Sequence, residues 1–239
     1  MLLLVWMFTP LVQAGDWIPL TQKLAEATNI VIVRYPVAGT IPSRWPNKAW
    51  DPRGWGFPDP LSAAARQAAT VERVLLDDGR GAVDATTLDN GFTSGGACWW
   101  RAHDSGAVRV LVFADRSGPA GAARGLYGVE GDQGMLTDLN PSFDSLIAAV
   151  EAAIGWRARA ADPTWDWAGP KEAGSSTDPY RRLLAYGVAL HAEESAEAAA
   201  LAESLRGPRG ADGRFSGLLQ LQAVEQQADW CRTPGAVNR

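Results

Sequence analysis

The chain is poor in the residues that most often carry chemistry. Its 239 residues include two cysteines, Cys98 and Cys231, and two histidines, His103 and His191. Two histidines in separate regions exclude a histidine-rich metal site, and His191-Ala192-Glu193-Glu194 is not the His-Glu-x-x-His zinc pattern. There is no phosphate-binding loop, no Gly-x-Ser-x-Gly elbow and no dinucleotide fingerprint, so no cofactor is expected. Lysine is confined to positions 23, 48 and 171, and the net charge is −5, which leaves a nucleic-acid partner without electrostatic support. After residue 14 no apolar run approaches the roughly 20 residues that cross a bilayer, so the mature chain is expected to contain no membrane span.

The first fourteen residues are different. Met1 to Ala14 are uncharged and mostly apolar, and end in Val12-Gln13-Ala14 before Gly15-Asp16. That ending reads as an export signal cleaved after Ala14, placing the mature chain in the periplasm or outside the cell. The segment lacks the usual positive start, since Lys23 is the first cation; the alternative is a buried N-terminal strand. In an exported protein a Cys98–Cys231 disulfide is plausible, and two unpaired thiols are the other option. Abundant arginine, alanine, glycine and proline look like the coding bias of a GC-rich bacterial genome.

Strand and helix signals follow in blocks. Asn29 to Tyr35 is β-branched and apolar, a buried strand. Pro36 to Pro60 holds six prolines and three tryptophans, too many prolines for a helix or central strand, so it reads as a long irregular loop. Leu61 to Ala69 suits a short helix and Val71 to Leu76 a strand, although the apolar spacing across both also fits one helical stripe. The turn at 77–81 predicts a returning strand over Ala82 to Leu88. Val108 to Ala114 is the strongest strand signal, and Leu126 to Val129 with Met135 to Leu139 suggests a last hairpin.

Asn140 and Pro141 then open a helix with Phe143, Leu146, Ile147, Val150 and Ile154 on one face, stopped at Gly155. Helices are expected from Pro179 to about His191, from Glu193 to Arg206, and from about Gly217 to Trp230. The fold expectation is mainly β with a helical appendage (α+β). An OB-like small β-barrel with a closing helix spans 15–156, a linker 157–176, and a helical segment 177–239, after the signal at 1–14.

The order of these features resembles the netrin-like and tissue-inhibitor-of-metalloproteinases-like OB-folds, including bacterial exported members. The resemblance rests on Ala27 to Val33, Val71 to Gly79, Gly96-Ala97-Cys98, Leu111 to Ala114 and Asp144 to Val150. It implies a barrel fold over about Ala27 to Trp156. It does not imply protease inhibition, because that activity needs an N-terminal cysteine and the expected mature N-terminus is Gly15.

Candidate sites are few. Gly96-Ala97-Cys98-Trp99-Trp100 is similar to the Cys-Trp neighbourhood of papain-like proteases, but a strand rather than a helix follows it, so a buried or bridged cysteine is the preferred reading. Asp77-Asp78 and Asp89-Asn90 could bind calcium weakly, and turn chemistry explains them equally. The enriched chemistry is tryptophan, with eleven in the chain. Trp45, Trp50 and Trp55 recur every five residues, with Phe57 beside them, and Trp165 and Trp167 lie in the expected linker. Such rings either cover a core beneath a long loop or present a surface for a protein partner or glycan. The functional expectation is a non-enzymatic, exported protein-binding module. Carbohydrate or cell-wall binding through the loop tryptophans is the alternative, and an enzyme of unrecognised type the third.

Overall fold

The computed structural model describes residues 19–36, 67–86, 88, 107–116, 124–125, 136, 138, 140–192 and 195–226. Three long strands form the sheet: β1 (Asn29–Pro36), β2 (Thr70–Leu76) and β3 (Ala107–Asp115), with a two-residue β4 (Arg124–Gly125) at the far edge. Six helices accompany them: α1 (Pro19–Glu26) before the sheet, then α2 (Phe143–Arg159), α3 (Ala168–Gly174), α4 (Pro179–His191), α5 (Ala196–Arg206) and α6 (Ser216–Gln226). About half of the described residues are helical.

The sheet is antiparallel and open, in the order β2-β1-β3-β4. β1 and β3 pair without interruption from Asn29↔Ala114 to Pro36↔Ala107, while the β1–β2 register shifts twice. Period-two alternation divides the two central strands cleanly. Ile30, Ile32, Leu111 and Phe113 face the helices. Val31, Val33, Tyr35, Val108, Val110 and Val112 face the other way, packed with Ala69, Val83, Ala85 and Leu88. Burial on both faces explains the near-continuous apolar sequence of β1. Each such side chain contributes about 1.5–3 kcal/mol relative to exposure.

This architecture corrects the mainly-β barrel expectation: an open three-strand sheet with a helical layer stands in its place. One reason lies at residues 81–88. Among the described residues there, none is in a strand. Gly79 and Gly81 take positive φ (75° and 97°), and the Arg116 guanidinium donates to the carbonyls of Gly81 (2.8 Å) and Ala82 (2.9 Å). Those carbonyls are committed to a side chain, and the segment runs as a strap whose Val83 and Ala85 cover the sheet. At the other edge Leu136 and Asp138 attach to β3 through two backbone hydrogen bonds, Leu111 N to Leu136 O and Asp138 N to Arg109 O.

The helical layer is built around α4. Eight of its residues are buried, from Tyr180 through Ala189, nearly all round the helix, and it contacts every other helix. α2 runs four residues past Gly155 to Arg159, because Trp156 and Ala160 continue to pack against the core and Gly155 does not take a positive φ. The segment 157–176 contains the end of α2 and all of α3. Pro170 is tolerated there because it falls in the first turn of α3. α5 does end at Gly207, whose φ is 73°.

Candidate functional site

Beneath α4 lies an open cleft of about 990 Å³. Its walls are helix ends: Leu24 and Ala25 at the end of α1, Arg157 near the end of α2, Gly187, Val188 and His191 in the last turns of α4, and Ser195 to Glu197 at the start of α5. The remaining wall is the turn-rich link between α2 and α3, from Ala160 to Trp167.

Local sequence fixes that link. Asp162 Oδ1 accepts hydrogen bonds from Thr164 N (2.8 Å) and Thr164 Oγ1 (2.7 Å), an Asx-type turn. Asp166 Oδ1 accepts from Ala168 N (3.0 Å) at the start of α3. The two turns bring Trp165 and Trp167 together, with ring centroids 4.8 Å apart and planes tilted by 54°. Trp167 is buried and Trp165 half-buried. The Thr164 hydroxyl and amide hold the Asp162 carboxyl below its ordinary pKa, so it stays anionic.

Arg157 is fixed from the opposite direction. Its Nη1 donates to Leu24 O (2.6 Å) and Ala27 O (2.9 Å), satisfying carbonyls at the end of α1. Burial pushes its pKa down. On α5, Ser195 caps the helix by accepting from Ala198 N (3.3 Å) and donates through Oγ to Glu197 Oε2 (3.3 Å). The cleft therefore combines indole surface, a half-buried guanidinium and two exposed carboxylates, Asp162 and Glu197.

A second polar cluster lies at the end of the sheet, on the Asp77-Asp78 turn considered for calcium. Arg116 Nη1 stands 3.5 Å from Asp78 Oδ1, and Arg80 Nε 3.7 Å from Asp78 Oδ2. Asn29 Nδ2 donates to Asp77 Oδ1 and Asp78 Oδ1, both at 3.4 Å. Burial works to raise the Asp78 carboxyl, and the Arg80 amide, the Asn29 amide and the two guanidiniums outweigh it, holding the group below its ordinary value. The turn thus carries its own cations, and its aspartates order backbone. Among the described residues no three His, Cys, Asp or Glu side chains converge as a metal site would require.

Of the residues singled out from sequence, Trp45, Trp50, Trp55, Phe57, Cys98, His103 and Cys231 lie outside the described residues. His191 lines the cleft. Arg157, Asp162 and Glu197 were not anticipated as a group, and Trp165 and Trp167 were expected in a linker. The available signal was Asp162-Pro163-Thr164-Trp165-Asp166-Trp167, in which two turn-forming aspartates bracket an aromatic. Among the described residues no helix is long and apolar enough to cross a membrane. No family model, no curated protein and no solved structure matches the chain.

Proposed function

We propose that the chain is a binding protein and that the cleft beneath α4 is its site, taking a small molecule that lays a flat ring against Trp165. The observation that carries this reading is the cleft itself: about 990 Å³ of concave space whose wall joins two packed indoles to a half-buried guanidinium. Small-molecule sites reach this size and combine aromatic or apolar lining with placed polar groups. A protein partner needs about 800 Å² of contiguous surface on each side. The exposed large apolar side chains among the described residues are Val74 on β2 and Leu219 on α6, one on each of two separate elements. Binding in a cleft is therefore better supported than protein docking. A pyranose ring also stacks on indole, so Trp165 offers a glycan a second candidate surface beside the loop tryptophans.

The test is ligand-observed NMR with a panel of aromatic and pyranose fragments, on the wild type and Trp165→Ala. At least one ring fragment should bind the wild type, and the variant should bind it at least tenfold more weakly with an unchanged circular dichroism spectrum. Binding that ignores Trp165→Ala would place the site elsewhere.

A further inference from the structure

Resting on the cleft as the binding site, we infer that its ligand is an acid, a ring carrying a carboxylate that Arg157 receives. Arg157 has donors to spare. It is half-buried, yet among the described residues it forms no ion pair, and its two hydrogen bonds both leave from Nη1. Capping α1 occupies that one nitrogen. Nε and Nη2 have no acceptor among the described residues. A guanidinium presents its donors as a planar fork suited to two carboxylate oxygens, and here part of that fork is unused.

The carboxylates of the same cleft do not take this role. Asp162 and Glu197 are exposed, and each already accepts from a neighbouring side chain, Thr164 and Ser195. Exposed charges are screened by water, whereas a partly desolvated one acts strongly on a ligand seated beside it. Arg157 is therefore the least screened of these three charges. Burial lowers the pKa of Arg157, the direction expected of a partly desolvated cation with no counter-charge among the described residues. Two carbonyls anchor the guanidinium beforehand, so little order is lost when an acid binds. Trp165, backed by the buried Trp167, supplies the surface for the ring. Both aromatic acids and sugar acids carry this chemistry.

Calorimetry in low-salt buffer with two matched pairs decides the matter: phenylacetate against phenylacetamide, and glucuronate against glucose. In at least one pair the acid should bind at least tenfold more tightly than its neutral partner. That preference should shrink in 0.5 M NaCl and vanish in Arg157→Gln, with Arg157→Lys retaining part of it. The pair that responds identifies an aromatic or a sugar source. If the neutral partners bind as well as the acids and lose binding in Trp165→Ala, the acid assignment is overturned while the cleft stands. If none of the four binds at millimolar concentration, both fall. The wild-type comparison is decisive even if Arg157→Gln loosens α1.

Discussion

Gly187 shows how closely single residues govern this molecule. It lies where α1 crosses α4, and a Cβ there would stand 2.7 Å from Thr21 Cβ and 2.8 Å from Thr21 Cγ2. Thr21 is buried and cannot swing away. Gly187→Ala should therefore destabilise by about 1–3 kcal/mol through overpacking, despite alanine's better helix propensity. That corresponds to a melting temperature lower by about 2–12 °C. Thr21→Gly, which removes both the Cβ and the Cγ2, should relieve most of the clash where Thr21→Ala would keep the nearer atom, so thermal melts of Gly187→Ala, Thr21→Gly and the double variant should be non-additive.

Tyr180 makes a titratable counterpart. Burial drives its pKa up from 10.0 to about 12; the nearby Asp178 charge adds to the rise, and the hydrogen bond from Asn140 Nδ2 (2.9 Å) opposes it. The native state thus holds this proton more tightly than the unfolded chain. Stability from this source is complete below about pH 10 and is lost as pH rises through about 12. Denaturant midpoints measured across that range should fall in the wild type and fall less steeply in Tyr180→Phe.

Among the elements, α4 carries the most and is the best specified. Asp178 starts it by accepting from Tyr180 N (2.9 Å) and Arg181 N (3.4 Å), with Pro179 in the first turn. The second Asp178 oxygen accepts from Ser145 Oγ at 2.5 Å, which ties the start of α4 to α2. Asp178→Ala removes a cap worth about 0.5–2 kcal/mol. Because every other helix packs on α4, the loss should appear as one cooperative shift in unfolding, followed by circular dichroism. A separate early step would contradict this.

This helix was legible from sequence for the same reasons: a capping aspartate, a proline in the first turn and an apolar run. The strands β1 and β3 were legible from β-branched runs. What misled was the inference from one local turn to a paired strand. Asp77 to Gly81 does turn the chain, but whether the returning segment joins the sheet depends on Arg116, 34 residues beyond Ala82. Helix α3 was hidden because Gly169, Pro170 and Gly174 punctuate its seven residues, and only tertiary packing of Pro170 and Ala173 overrides their propensities.

For the whole molecule the difference between barrel and open sheet was a question of closure, and local patterns do not encode closure. Helices cover one face of the sheet, and β2 and β4 remain separate edges. The cleft was less legible still. Its members come from residues 24–25, 157–167, 187–192 and 195–197, and no spacing within any one segment announces the others. Turn chemistry around Trp165 and Trp167 was the nearest clue.

The two hydrogen bonds from Arg157 to Leu24 and Ala27 join residues 133 and 130 positions apart. During synthesis α1 is made first, yet its end waits for Arg157 and its crossing face waits for Gly187. A nascent chain halted before α5 lacks one wall of the cleft altogether. Such distant closures slow folding, since loop-closure entropy is lost before the contacts form. The cleft is thus a timekeeper: its walls come together only once the chain has been made and assembled through α5, and an incomplete chain has no means of imitating it.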